Sequence, residues 1–285
     1  MKKKHRDYDY DEDFNKLLRE ETREEIIEDL RINNNYVYMR RTITSGKIVE
    51  LEIYPVWKCK HDISRKTERN KSKESQKNLN NKNSKKKVVR LINSNFGKED
   101  LFITISYEDG YLPNESTARK DMQNYIRRLK RYRKKKGLDE LKYIYSIGYS
   151  NNPESSKKVR IHHHILINKM DRDEAEKLWG NGFANSKRLQ PNDFELTGVA
   201  KYIANQGSER WGASRNLQKP KFSVNRTGFT KRRAYRLLKN PDAFREIFEK
   251  EYPDCIYKDY SAFYSEDNPG IYIYVRLIKK DVKRE

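Results

Sequence analysis

The sequence predicts an α+β protein whose main sheet is antiparallel, in the split-βαβ or ferredoxin-like arrangement with helices on one face. An N-terminal β-hairpin and a C-terminal helical and strand extension flank that sheet. Three observations predict this. Between residues 101 and 189, β-rich and helix-periodic runs follow one another in the order β-α-β-β-α-β. Residues 36–57, "YVYMRRTITSGKIVELEIYPVW", hold two β-rich runs around "SG", a hairpin signal. Residues 221–285 hold a basic helical stretch, "TKRRAYRLLKNPDAFREIFEK", and a terminal strand, "IYIYVRLI".

Taken in order, residues 1–35 are acidic and helix-biased, with Leu17, Leu18, Ile26, Ile27 and Leu30 giving modest amphipathicity, so they read as an appendage. The hairpin occupies 36–60. Residues 61–86 are rich in Lys, Asn and Ser and nearly lack apolar side chains, which reads as a flexible basic linker. The main domain is expected over 87–220 and the extension over 221–285. Within the domain, "LFITISY" (101–107) is a strand of buried type. Asn114 or Ser116 can cap a helix running to about Lys136. Met122, Tyr125, Ile126 and Leu129 lie on one face of it, and Gly137 is its stop. "LKYIYSIGY" (141–149) is the next strand and "NNPESS" supplies turn chemistry. "VRIHHHILIN" (159–168) follows, then a helix capped by Asp171 that contains Ala175, Leu178 and Trp179, and then a strand in "GFANSKRL" (182–189).

The length of 285 residues suits one large domain or two small ones. Lys+Arg number 63 against 42 Asp+Glu, a net charge of +21, which points first to a polyanion such as nucleic acid and second to a membrane surface. The charge sits in three blocks: 58–90 is net +10, 119–137 net +9 and 201–239 net +10, leaving the rest net −8. Clustered cations look like a DNA footprint, and solvated faces are the competing account. No apolar run approaches a membrane span, and "MKKKHRDYDYDEDF" has no h-region. Cys59 and Cys255 cannot build a disulfide framework, so a reducing cytoplasm is the expected compartment. Cys59 and His61 are two isolated ligands and do not make a metal cluster.

The chemistry centres on the three consecutive histidines. Side chains alternate along a strand, so Ile161, His163, Ile165 and Ile167 share one side while Arg160, His162, His164 and Leu166 share the other. The isoleucine side must face the helices, which leaves His162 and His164 on the open face and His163 towards the core. Two imidazoles two residues apart can coordinate one divalent ion. They can equally bind phosphate or satisfy local hydrogen bonds. After the last strand, "NDFELTGVAKYIANQ" reads as a helix with an apolar stripe of Leu196, Val199, Ala200 and Ile203. Tyr202 falls roughly 110° from the centre of that stripe, on a flank from which a phenol can reach the open face. Ordinary partial burial of one tyrosine among 20 is the alternative.

With these residues in view, the chain resembles a known family. "IHHHILIN", preceded by "LFITISY" and followed by "KYIANQ", is similar to the histidine–hydrophobe–histidine (HUH) endonucleases that initiate rolling-circle replication. More closely, it resembles the replication-associated proteins of low-GC Gram-positive plasmids, phages and integrative elements. The likeness runs from about Leu79 to Pro220 and includes "LINSNFGKEDLFITISY", "YIRRLKRYRKKKGL" and "RWGASRNLQKP". It implies a sequence-specific, metal-dependent DNA nicking and joining enzyme. His162 and His164 match the metal pair, with Mg²⁺ or Mn²⁺ the usual ion. Tyr202 matches the nucleophile that leaves a 5′-phosphotyrosine and a free 3′-OH.

The sequence departs from the family pattern in two places. Gly148 stands where relatives often carry a metal-binding glutamate, so water, Glu108 or Asp109 would have to complete the site. Asn205 and Gln206 stand where relatives commonly have a lysine, and Lys201 lies elsewhere on the helix.

The expected DNA contacts are Arg127, Arg128 and Lys130 on the basic helix, Arg160, Lys201, and Arg210, Arg215 and Asn216 of "RWGASRN". Trp211 can equally pack in the core. The expected partner is single-stranded or hairpin DNA at a replication origin, without membrane association. The sequence carries no G-x-x-x-x-G-K-[ST] loop, so a host helicase and DNA polymerase are expected to assist. A relaxase or transposase would share this chemistry, and a non-catalytic basic nucleic-acid-binding protein is the competing class.

Overall fold

The computed structural model describes residues 36–57, 73–111, 113–150, 160–205, 211–225, 229–240, 242–264 and 270–281. The 1–35 appendage and residues 61–72 of the expected linker lie outside the described residues. The chain forms two units, one of Asn80–Lys219 and one of Met1–Leu79 with Pro220–Glu285. Each holds a five-stranded antiparallel sheet, and with six helices among the described residues the class is α+β, as expected.

In the Asn80–Lys219 unit the predicted order runs as β3 (Leu101–Ser106), α2 (Glu115–Lys135), β4 (Tyr143–Ser150), β5 (Arg160–Ile167), α3 (Arg172–Lys177) and β6 (Ala184–Arg188). These are joined by α1 (Lys73–Asn95), α4 (Thr197–Asn205) and β7 (Trp211–Ala213). The strand order is β6-β3-β5-β4-β7, so β3 and β4 flank the histidine strand β5 as expected. Local chemistry sets the ends of α2. The Asn114 side chain accepts the Thr117 N–H, and Gly137 at φ 65 lets the N–H groups of Leu138 and Gly137 turn back onto the Arg133 and Lys134 carbonyls.

Helices cover both faces of this sheet, where the sequence predicted one. On the isoleucine face, Met122, Tyr125 and Leu129 of α2, with Ala175 and Trp179, bury Ile103, Ile105, Ile161, Ile165 and Ile167. On the other face, Val88, Leu91 and Ile92 of α1 and Ala200, Ile203 and Ala204 of α4 pack with Ile144 and Leu166. The reason is the apolar content of the second face, since Phe102, Ile144 and Leu166 would otherwise face water. This also corrects the linker expectation, because residues 73–86 belong to α1 and the core begins earlier than residue 87. The Lys-rich first turns of α1 have no stripe of their own and extend a helix anchored by Val88, Leu91 and Ile92.

In the other unit the hairpin of β1 (Tyr36–Ser45) and β2 (Ile48–Trp57) is present, with Gly46 at φ 62 first in a two-residue loop. Hairpin and extension are not separate, as the sequence suggested. β8 (Lys221–Asn225) pairs with β1, and β10 (Ile271–Lys279) pairs with both β2 and β9 (Cys255–Tyr264). An isolated two-stranded hairpin is marginal in water, and these partners complete it. α5 (Lys231–Lys239) and α6 (Ala243–Glu251) cover one side through Ala234, Leu237, Phe244 and Phe248.

The loop into β6 depends on one glycine. Gly182 has φ 137, and a Cβ there would lie 2.5 Å from the Glu108 nitrogen and 2.7 Å from the Ser106 oxygen. Gly182→Ala is therefore expected to destabilise its unit by about 1–3 kcal/mol in urea unfolding. Gly97→Ala, whose Cβ would meet nothing within 4 Å, is expected to stay within about 0.5 kcal/mol of the native chain.

Candidate active site

The alternation along β5 separates the three histidines as the sequence implied. His163 is fully buried on the isoleucine face, edge-on to Trp179 and Tyr107, with its Nε2 3.1 Å from the Tyr107 hydroxyl. Tyr107 is also hydrogen-bonded to Asp121, and burial raises its phenol well above the ordinary value. A carboxylate only accepts, so Tyr107 donates to Asp121 and accepts from His163. Burial first, then the neighbouring His162 and His164, lower the His163 pKa to about 3.

His164 lies on the opposite face and is only 2% exposed. Its Nδ1 is 3.2 Å from the Thr104 hydroxyl, directly across the register on β3. Its ring stacks nearly parallel on Phe102 at 5.5 Å. Its Nε2 is 3.1 Å from the Tyr202 hydroxyl. Burial, then His162, lower its pKa to about 4, so at neutral pH the ring is neutral. With Nδ1–H donating to Thr104, the Nε2 lone pair accepts the Tyr202 proton. His162 is half-buried, its ring edge-on to His164 at 4.9 Å. Ser106 and Gly148 are its direct register partners on β3 and β4.

Tyr202 reaches this point from α4, and the start of α4 is set by α1. The Leu196 N–H donates to Asn93 Oδ1 at 3.0 Å, while Asn93 Nδ2 reaches the Val89 carbonyl and the Thr197 hydroxyl. Glu195, in the left-handed region at φ 53, turns the chain into the helix. The Tyr202 ring lies edge-on to both His164 and Phe102, yet the residue remains 46% exposed. The phenol is thus held on one side and open on the other.

Of the residues expected at the site, His162, His164 and Tyr202 come together. No third His, Cys, Asp or Glu joins the two histidines in a metal-holding group among the described residues. Glu108 and Asp109 are exposed beyond the end of β3. Arg127, Arg128 and Lys130 ride on α2, which covers the isoleucine face, the side away from His162, His164 and Tyr202. Arg128 is further committed, donating through Nε to the Leu178 carbonyl at 2.7 Å and through Nη2 to the Trp179 carbonyl. Asn216 donates to the Leu141 carbonyl, and Trp211 packs on the second face with its Nε1 donating to Ser84. Lys201, on the helix of Tyr202, and Arg215, in the turn after β7, are exposed. Arg160 opens β5 opposite Ser150, its side chain lying outside the described set, and Arg210 lies outside the described residues. Thr104, Phe102 and Asn93 escaped the sequence reading. Alternation in "LFITIS" places Phe102 and Thr104 opposite the isoleucine side, but the β3–β5 register that sets Thr104 beside His164 is not legible in either strand.

Residues 100–207 match the family of the replication-associated protein ORF2. The match fits a rolling-circle replication initiator, and it runs from β3 to just past Tyr202, enclosing both histidines of the open face. Curated proteins and solved structures returned no match. No helix among the described residues is long and apolar enough to cross a membrane.

The two depressed histidines carry a pH signature. In the unfolded chain they titrate near 6.5, and in the fold near 3 and 4, so between those values the unfolded chain binds more protons. Stability must then fall as pH drops below about 6.5, by about 2 kcal/mol per histidine at pH 5. Histidine ring resonances in chelator-treated protein are expected to show His163 and His164 neutral at pH 5.5. A midpoint above 6 in either contradicts the burial account.

Proposed function

We propose that this chain initiates DNA replication by nicking and rejoining a single strand, with Tyr202 as the nucleophile. The observation that carries the reading is the hydrogen bond between the exposed Tyr202 hydroxyl and the buried, neutral His164, with His162 alongside. The match to the replication-associated family over the same residues supports it, as does the net charge of +21.

A phenol has an ordinary pKa of about 10 and is a weak nucleophile at neutral pH. The His164 imidazolium, with a pKa of about 4, is far too acidic for His164 to take that proton outright. Moving it uphill by about 6 pH units costs roughly 8 kcal/mol. His164 therefore orients the phenol oxygen by accepting its hydrogen bond, and Thr104 and Phe102 hold the imidazole in place. In the reaction the Tyr202 oxygen bonds to phosphorus and the bond to the 3′-oxygen breaks. The phenol proton leaves to solvent and the 3′-oxygen takes one up. The strand stays attached as a 5′-phosphotyrosine, and the freed 3′-OH can prime a polymerase or reverse the step.

The donor set fits a divalent ion held lightly. His162 and His164 would supply two imidazole nitrogens, and water and phosphate oxygens would fill the rest of the shell of Mg²⁺ or Mn²⁺. When bound, such an ion offsets negative charge on the non-bridging oxygens. Ser146, across the register from His164, has a buried hydroxyl without a hydrogen-bond partner, an oxygen donor on the face of the pair. Lys201 and Arg215 are the exposed cations proposed to meet the DNA backbone, and a host helicase and polymerase would extend the new end.

Incubating the full chain with single-stranded DNA spanning the origin of its own element, with Mn²⁺, is expected to give a protein–DNA adduct that survives denaturation. Tyr202→Phe should abolish it, and His162→Ala should slow it by about 100-fold or more. An adduct of native yield in Tyr202→Phe removes this tyrosine from the chemistry, and no adduct in the native chain leaves a binding protein. Affinity for the same DNA should fall about 10³–10⁵-fold between roughly 50 and 200 mM salt if 6–10 phosphates are contacted. A flat salt response contradicts the footprint.

A further inference from the structure

Phe183 is the most exposed large hydrophobic side chain among the described residues, at 66%. Its position in the sheet is set by an exchanged pair of backbone hydrogen bonds with Ser106, 2.8 and 3.1 Å, which continues the β3–β6 register. Directly opposed residues project to the same face. Ser106 in turn opposes His162. Phe183, Ser106 and His162 therefore form one row across the sheet on the face of the candidate active site. Asn185 opposes Thr104 in the row of His164, and Lys187 opposes Phe102, the ring against which Tyr202 and His164 pack. Phe183, Asn185 and Lys187 are all exposed, while Ala184 and Ser186 between them point inwards.

We propose that this outward stripe of β6 is the track for the single strand beside the scissile phosphate. Phe183 stacks on a base, Asn185 hydrogen-bonds a base edge and Lys187 pairs with a phosphate. The inference rests on the nicking reading for its location but not for its chemistry. Two strand spacings put Phe183 about 10 Å from His162, and the stripe runs about 13 Å along the strand, the span of a few nucleotides. The order of groups fits a single strand better than a duplex, because a flat aromatic ring can take an unpaired base of any identity. The edge position fits as well, since β6 pairs only with β3 and nothing further extends the sheet on that side among the described residues. Gly182 reinforces the reading. Its backbone lies against the end of β3 so closely that no side chain fits there, and this fixes the turn from which Phe183 projects.

The test uses the full chain and a fluorescein-labelled oligothymidylate of about 20 nucleotides, by anisotropy across a salt series. Phe183→Ala is expected to weaken binding about 5- to 150-fold with an unchanged salt slope, and Phe183→Trp to restore it. Lys187→Ala should lower the magnitude of the slope by about 0.7. Phe183 is exposed, so thermal midpoints should match the native chain and report that the fold is intact. Binding by Phe183→Ala within twofold of native, no native binding at about 50 mM salt, or a change of oligomeric state in place of affinity would each overturn the proposal. The Tyr202 adduct is scored separately on origin DNA. Loss of the adduct alone sinks the nicking reading, and loss of the Phe183 effect alone sinks this one.

Discussion

The candidate site depends on β5 being covered on both faces while it carries three consecutive histidines. A strand has only two sides, so the run cannot act as one triple ligand. His163 goes to the isoleucine side, where Trp179 and Tyr107 enclose it and burial keeps it uncharged. His162 and His164 go to the other side, and even there the two differ. His164 lies deep under Phe102 and Tyr202, while His162 is half-buried between two register partners with minimal side chains, Ser106 and Gly148. A slip of one residue in the β3–β5 register would move Thr104 away from His164 and exchange core for site. The isoleucines prevent that slip, since it would place Ile161, Ile165 and Ile167 on the wrong face.

The position of Tyr202 has a second origin, outside the strand. α4 begins where Asn93 of α1 accepts the Leu196 N–H, and α1 packs on the same apolar patch as α4. The family match begins at residue 100, so this helix lies before it. The phenol hydroxyl must lie within hydrogen-bond reach of His164, and a rotation of α4 by one residue, about 100°, would carry it out of reach. A buried side-chain-to-backbone bond at the first turn, with Glu195 in its left-handed conformation just before it, fixes that rotation. The site is thus assembled from the central strand and from a helix whose register is set by a residue more than a hundred positions earlier in the chain.

Much of this was legible in the sequence, for physical reasons that differ from element to element. Alternation in "IHHHILI" sorted the histidines because period-two patterning is local. The Asn114 cap, the Gly137 stop and the hairpin at Gly46 were legible because each is a few residues of turn chemistry. The helix over 73–86 was not, because its reason is tertiary: a Lys- and Asn-rich segment continues a helix whose apolar anchor lies downstream. The union of hairpin and C-terminal strands was hidden for a similar reason, since β2 and β10 meet across more than two hundred residues of chain. Within the site, Thr104 and Asn93 are partners by contact, and contact between distant segments leaves no periodic trace.

The cations show where composition misleads. Block counting treats every Arg and Lys of α2 as available to DNA, but a guanidinium carries five donors in a planar fork and readily closes a helix end. Arg133 is buried and donates to the carbonyls of Asp139, Asn168 and Lys169, and Arg128 does the same for Leu178 and Trp179. These two hold the isoleucine-face layer together. Their neighbours Arg127 and Lys130 remain exposed, but on the side of the sheet away from Tyr202. A strand whose phosphate lies at Tyr202 therefore has to be held by groups on the other face, and the exposed cations there are fewer: Lys187 on β6 and Lys201 on α4. With so few charges at the point of chemistry, alignment has to come from shape and stacking more than from bulk charge. An exposed aromatic in the row of His162 meets that requirement, and a net charge of +21 does not.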